Sequence, residues 1–544
     1  MSGNFHGGSF QVILQSRIYC AEGTKTMLSF YTLERKIRAL MNAASVPGAA
    51  LAIVQNRQVI YAQGFGVNSV ETNQPVTPDT LFRIGSITKP MTVTAVMQLV
   101  EAGKLDLDVP VQNYLPALRF SEMKYGDGIT LRRLLSHTAG FQTHHVPHGS
   151  RHPDGLAAYI RDEFPTHEFI APPGTLYSYS NPGFRIAGRI LELIYEKNYT
   201  DIMRQQVLEP ADMQRSTFDI AVAMTYPLAQ SHDIDEIGRL TVQRPFADNT
   251  GGYPSGSLIS TVLDVANFAI AHLNGGKFGQ NTILSKDSVA HMQTFTADAY
   301  TPTQKGYGLG WMLETVNGRR WVGHDGSIST FGGKLVMLPD QQIAVVLLFN
   351  RAAGFWPHAL NICHHIIDGL LGNSEPVSVT PVQPDTAQWK HFEGTYLGYE
   401  RGLARIYVEN NQLVLDWQGM IVPLLAYADN RYFWQAGAVG FISETDGTTE
   451  YLMLNGAPCR RVDFDTTFRP DKTLWKDYVG RYTGAEQVTI RVVDEQLTIT
   501  HEEYEPNRVC IALDNHRFAA QLGLVEFLGD GKLRLNYTYL LQKE

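Results

Sequence analysis

Two stretches in the C-terminal third of this 544-residue chain are copies of one another, and nothing else constrains its fold as tightly. Trp389-Lys390-x-Phe392-x-Gly394-x-Tyr396 returns as Trp475-Lys476-x-Tyr478-x-Gly480-x-Tyr482. The match continues, with Gln412-Leu413 answered by Gln496-Leu497, Asp429-Asn430 by Asp514-Asn515, and Val439-x-Phe441 by Val525-x-Phe527. Internal self-similarity over this many positions marks a duplicated structural unit. Each copy alternates apolar and polar residues in short runs and carries an Asp-Gly turn, at Asp446-Gly447 and Asp530-Gly531. Short alternating runs with such turns read as antiparallel hairpins. The expectation is two small antiparallel β-barrel-like units, 386–470 and 471–544. Pro376, Pro381 and Pro384, set among small polar residues, give 372–385 a linker composition.

The remaining chain reads as one larger domain, 27–371. Leu33, Ile37, Leu40 and Met41 repeat at helical spacing behind Thr32 as an N-cap, and Pro47-Gly48 ends that helix. Ala49–Val54 and Val59–Ala62 read as strands around the turn Gln55-Asn56-Arg57-Gln58. A helical middle follows, broken by Gly/Pro-rich loops. Strands return with Trp321-Val322-Gly323, Leu335–Leu338 and Ile343–Phe349, before a closing helix over Phe355–Leu371. An antiparallel sheet built from both ends of a domain, with helices between, is an α+β layered fold.

Composition removes several function classes. With 44% hydrophobic and 18% charged residues the chain builds cores rather than staying disordered. Its 45 Lys and Arg against 54 Asp and Glu leave a net charge of −9, with no bulk field for nucleic acid or anionic lipid. The longest apolar run, Ile343–Phe349, falls far short of the ~20 residues of a spanning helix. The four cysteines, Cys20, Cys363, Cys459 and Cys510, form no CxxC pair. Residues 1–26 hold only Phe10–Leu14 as an apolar stretch and read as an extension that carries no secretory signal. A cytoplasmic location is expected. His144, His145, His148 and His152 crowd one loop without an HExxH pattern or a completing carboxylate, so no metal is expected there. No phosphate-cradling glycine loop appears, and no cofactor is expected.

Three short motifs bear chemistry. Ser86-Ile87-Thr88-Lys89 opens a helix expected to run to Ala102, behind the strand-like Leu81–Ile84. Residues i and i+3 share a helix face, so the Lys89 amine can reach the Ser86 hydroxyl. A helix N-terminus favours an alkoxide or oxyanion, and burial would lower the lysine pKa toward that of a base. Tyr179-Ser180-Asn181 lies on a loop between Pro172-Pro173-Gly174 and a helix through Ile186, Ile190 and Leu191. His324-Asp325-Gly326 closes a strand expected at a sheet edge. Taken singly, each reads as structure: an N-cap serine, a buried tyrosine and a surface histidine.

Together, in this order, SxxK, Tyr-x-Asn and His-x-Gly resemble the serine β-lactamase and penicillin-binding protein superfamily. Flanking phrases agree: Leu134–Gly140, Gly251-Gly252 through Ser260-Thr261, and Gly306–Trp311. The resemblance covers residues 30 to 370. Tyr-x-Asn places the chain nearer the class C branch with its esterases and D-aminopeptidases, and the tail units look like the extra β-barrels of the latter. It implies a β-lactamase-like sheet flanked by helices, with an all-helical region. It further implies that Ser86 is the nucleophile of an acyl-enzyme and that Lys89 and Tyr179 share the base and acid roles, in an order left open. Asn181 would bind the substrate amide, and backbone N–H groups of Ser86 and Ser327 would form an oxyanion hole beside Gly326. His324 would replace the third-motif lysine, and His137 would brace a loop.

A neutral imidazole beside Asp325 disfavours a substrate carboxylate at that motif if Asp325 faces the cleft. A free amine or a neutral ester suits it better. The expected function is therefore hydrolysis of amide, peptide or ester bonds in a small molecule or short peptide. The rivals are a β-lactamase or D-Ala carboxypeptidase, and a non-catalytic sensor that keeps the fold. The oligomeric state is left open, a homodimer being one outcome.

Overall fold

The seven apolar residues Ile343–Phe349 form a strand with no exposed face. The period-2 geometry of a strand sends Ile343, Val345, Leu347 and Phe349 to one side of the sheet and Ala344, Val346 and Leu348 to the other. A strand buried on both faces reads as a continuous apolar run, which is why this one lacks alternation. In the computed structural model it pairs antiparallel with Gly48–Gln55 (Ala49 opposite Phe349) and with Phe331–Leu338. The model describes residues 28–143, 148–235, 237–373, 379–399, 401–443, 449–463, 465, 468–484, 487–501, 508–520, 523–536 and 539–544. Phe10–Leu14, Cys20, His144, His145, Pro376 and the Asp446-Gly447 turn lie outside them.

Eight strands make the main sheet, in the order 58–66, 48–55, 343–349, 331–338, 319–328, 312–316, 306–307, 297–298. The helices Phe30–Ala43 and Trp356–Leu371 cover one face through Leu33, Ile37, Ile362 and Ile366. The first helix is capped by Ser29, whose Oγ accepts from Thr32 N–H at 3.3 Å. The helix therefore starts earlier than the expected Thr32 cap, and Thr32 lies within its first turn. The helical region covers the other face. Its central helix, Thr88–Glu101, is buried over every residue from Thr88 to Met97. It is enclosed by the main sheet, by Asn181–Tyr195 and by Val262–Leu273.

The tail consists of two nearly closed nine-stranded antiparallel sheets with the same strand circuit. Each opens on a short helical turn that buries a tryptophan, Trp389 or Trp475. In each, a tyrosine hydroxyl donates back four residues: Tyr396 Oη to Phe392 O at 2.8 Å, Tyr482 Oη to Tyr478 O at 2.9 Å. The aromatic pairs Phe392/Phe441 and Tyr478/Phe527 stack at 4.1 and 3.9 Å. The repeated residues are thus the ones that close each barrel. Cys363, Cys459 and Cys510 are buried free thiols, and burial pushes each up to about 12.

The first unit packs on the helical region. Tyr451 and Met453 meet Ile170, Ala171 and Leu176, and Arg431 pairs with Asp298 at 2.8 Å. The second unit packs on the first through Leu397, Leu513, Ala519 and Leu524, and reaches the larger domain through Arg534 and Glu168 at 2.5 Å.

Candidate active site

Ser86 sits in a 3-10 turn, Gly85–Ile87, that leads directly into the buried helix. Two glycines permit the packing around it. Gly85 has φ +54°, and a Cβ there would lie 2.4 Å from Ser327 N. A Cβ on Gly326 would lie 1.9 Å from Ile84 O. Only glycine lets the strand 319–328 and the Ser86 turn approach this closely. That strand lies inside the sheet rather than at the expected edge. Its register with 312–316 ends at the pair Met312–Gly323, however, so 324–328 has no partner strand on that side.

The side chains converge on Lys89. Its Nζ lies 2.9 Å from Ser86 Oγ, 2.7 Å from Asn181 Oδ1 and 2.6 Å from the Ser255 carbonyl. Lys89 is fully buried, and desolvation, helped by the Arg185 charge, holds its pKa well below the ordinary lysine value. In its neutral form, which this shift favours, the amine has two N–H donors and one lone pair. The Asn181 and Ser255 oxygens, which can only accept, take the two donors, so the lone pair is left for the Ser86 hydroxyl. Asn181 Nδ2 in turn donates to Thr143 Oγ1 at 3.2 Å, which fixes the carboxamide. Tyr179 is half-buried on the cleft wall, its ring centroid 4.8 Å from Lys89 Nζ. Burial raises its phenol above the usual range, while a hydrogen bond with Ser86 works the other way.

His137 holds Tyr179 in place. The residues flanking Tyr179 both donate to it: Ser178 N–H to the His137 carbonyl at 2.8 Å and Ser180 N–H to its Nδ1 at 2.9 Å. The imidazole centroid lies 4.3 Å from that of the Tyr179 ring, tilted to it, and 4.4 Å from that of Tyr307, edge to face. An accepting Nδ1 means a neutral ring, and burial drives its pKa well below the ordinary value.

His324 is placed differently from expectation. Nδ1 faces the Asp325 carbonyl at 2.5 Å and Nε2 faces Tyr307 Oη at 2.7 Å. The carbonyl can only accept, so Nδ1 carries the proton and the Tyr307 hydroxyl donates to Nε2. Both nitrogens are engaged, the ring is buried, and its pKa falls to about 3. His324 backs the site from the sheet and does not line the cleft. Asp325 is on the opposite face of the strand, directly across from Lys334, and accepts from its Nζ at 2.6 Å.

The cleft is a cavity of about 700 Å³. Ser86, Tyr179, Asn181, Gly326 and Ser327 line it, so the three motifs meet in one crevice. Sequence reasoning missed the Ser255 carbonyl and Thr143. That the tail units shape access to the cleft or support assembly can be expected from the sequence, but not that the first β-unit supplies the outer wall through Tyr399, Arg401 and Asn455–Pro458. Among the described residues, no cluster of three His, Cys, Asp or Glu could hold a metal, and no helix is long and apolar enough to cross a membrane. His148 borders the cleft and His152 pairs with Asp154 at 2.6 Å.

A family model described as Beta-lactamase matches residues 33–361. The chain is 31% identical over 373 residues to penicillin-binding protein 4 of Amycolatopsis lactamdurans, covering 67% of this chain and 96% of that protein. It is 28% identical over 350 residues to an unguisins hydrolase of Aspergillus campestris, covering 62% and 64% respectively. Two solved structures share its fold. The octameric penicillin-binding protein homologue from Pyrococcus abyssi matches with a TM-score of 0.56 at 24% identity, over 88% of this chain and 99% of that one. SurE with D-Leu matches with a TM-score of 0.60 at 24% identity, over 79% and 99%.

Proposed function

Because the chain belongs to the beta-lactamase family, we propose that it is a serine hydrolase that cleaves amide, peptide or ester bonds through an acyl-enzyme on Ser86. The observation that carries this is the buried Lys89 amine, 2.9 Å from the Ser86 hydroxyl and within 2.7 Å of the Asn181 and Ser255 oxygens. Lys89 takes the Ser86 proton as Oγ adds to the substrate carbonyl carbon. The developing oxyanion lies between the N–H groups of Ser86 and Ser327, each such donor contributing about 3 kcal/mol to the transition state. As the C–N or C–O bond breaks, the Tyr179 phenol gives its proton to the leaving group and is reprotonated from the Lys89 ammonium. A phenol held above its ordinary pKa stays protonated at neutral pH and matches a basic amine leaving group. Water then enters, and the same groups return the proton as the acyl–Ser86 bond is hydrolysed.

Asn181 positions Lys89 as well as bordering the substrate, since its Oδ1 is already an acceptor for the amine. His324 supports Tyr307 and Tyr179 from behind. With no lysine at the third motif, a D-aminopeptidase-like or esterase activity remains the favoured chemistry. Asp325 weighs less in that choice than its sequence position suggested, because Lys334 already balances its charge. The test is turnover of a D- and L-aminoacyl anilide panel, a short-chain nitrophenyl ester and a chromogenic cephalosporin, with Ser86→Ala as control. Hydrolysis of an anilide or ester, absent in the control, is expected. Rapid turnover of the cephalosporin alone would favour a β-lactamase, and no turnover of any would favour a non-catalytic sensor.

A further inference from the structure

The outer half of the cleft is built by two parts of the chain that meet at one turn. Gly456 of the first β-unit lies against Ala299 of the larger domain: a Cβ on Gly456 would stand 3.4 Å from Ala299 Cβ. Arg401 runs along the same turn, its Nε donating to the Leu454 carbonyl at 3.3 Å. Its backbone is pinned by Trp417 Nε1, which donates to the Arg401 carbonyl at 2.6 Å. On the other side, Ala299 N–H donates to the Lys305 carbonyl at 3.0 Å. Arg401 and Lys305 thus flank one junction, and both line the cavity. The same cavity is also lined by the apolar Met312, Ala457 and Pro458.

The charges around this cleft do not cancel. Its two acidic residues are already matched: Asp325 by Lys334 at 2.6 Å, and Asp233 by Arg351 at 3.7 Å. Arg244 is matched by Glu71, outside the cavity, and Arg185 lies buried with its guanidinium 4.4 Å from the Tyr159 ring centroid. Among the described residues, neither Lys305 nor Arg401 is in an ion pair, and the terminal nitrogens of Arg401 have no hydrogen-bond partner. Two cations and these apolar residues in one cavity fit an aliphatic segment that ends in an anion. A guanidinium whose Nε is occupied still presents two N–H groups to a carboxylate.

We propose that Arg401 and Lys305 form a carboxylate subsite at the outer end of the cleft, so that the first β-unit selects substrates carrying an acidic group away from the scissile bond. This rests on the hydrolase reading of the cleft, but binding alone can test it. The probes are N-succinyl-D-alanine amide and its neutral counterpart N-butanoyl-D-alanine amide, titrated by calorimetry into the full-length Ser86→Ala protein. The charged probe is expected to bind about tenfold more tightly at low salt. That preference should fall below about twofold in Ser86→Ala carrying Arg401→Ala or Lys305→Ala, and survive in part with Arg401→Lys. Equal affinity for the two probes, a preference untouched by either substitution, or no binding of the charged probe would overturn the subsite. Ester turnover by the wild type is scored separately. Its absence alongside a retained charge preference would sink the hydrolysis and leave the subsite standing.

Discussion

The two β-units have one strand circuit, one aromatic bracket and one buried tryptophan, yet among the described residues only the first lines the cleft. The difference lies at the hairpin ends. In the first unit Asn455-Gly456 joins two strands, with Asn455 Oδ1 accepting from Ala438 N–H at 2.9 Å, and the turn presses on Ala299. In the second unit Asn536 occupies the corresponding corner against Gly523, but among the described residues the ion pair that reaches the larger domain is Arg534–Glu168. Duplication copied the residues that close a barrel. Position relative to the larger domain decided which barrel's loops became part of a site.

That contrast can be broken by deletion. Truncation after Pro470 removes the second unit and uncovers Leu397, leaving the cleft wall in place. Turnover is expected to stay within about fivefold of the full chain. Truncation after Leu371 strips Tyr451 and Met453 from Ile170, Ala171 and Leu176 and removes the wall beside Tyr177. It should give an aggregating protein or lose at least about a hundredfold in turnover, because displacing a catalytic group by ~1 Å can cost that much. Equal activity of the two truncations, measured on the same anilide or ester, would erase the distinction between the units.

A finer cut separates the Tyr179 loop from its supports. His137→Ala removes the acceptor for Ser180 N–H and should lower kcat about 10- to 100-fold with little change in KM. His137→Asn, which tolerates the φ of +61° at this position and offers a side-chain oxygen, should recover part of the loss. A parallel loss in both variants, or a change in KM alone, would mean that His137 does not set the position of Tyr179.

The smallest effect is a pH slope. His167, His272 and His324 are buried in the larger domain, each with its pKa lowered to about 3 by desolvation. In the unfolded chain they take protons near 6.5, while in the folded chain they do so only near 3. Their contribution to stability is therefore complete above pH 6.5 and is lost as the pH falls toward 3, each group adding up to about 1.4 kcal/mol per pH unit in that window. Denaturant unfolding of His324→Asn between pH 7 and 4.5 should show a shallower loss of stability than wild type, whatever its absolute stability. An unchanged slope would mean that His324 titrates normally in the folded protein.

Much of this was legible because it is local. The i, i+3 spacing of Ser86 and Lys89 alone puts amine and hydroxyl together, and the duplicated Trp389 and Trp475 phrases announced the two barrels. What sequence did not reveal depends on register and on contacts between distant segments. Asp325 follows His324 directly, but the pleat turns them to opposite faces, one toward Lys334 and the other toward Tyr307. No local pattern marks Ser255 as the acceptor for Lys89, since a carbonyl carries no residue type. Arg401 belongs to the cleft only because a separate barrel docks through Tyr451 and Met453.

Mass spectrometry of the full-length protein after exposure to a fluorophosphonate most directly tests whether a buried neutral amine activates Ser86. One adduct on the peptide carrying Ser86 is expected, lost in Ser86→Ala and strongly slowed in Lys89→Ala. Labelling that persists in Ser86→Ala, or proceeds at the wild-type rate without Lys89, would contradict the account.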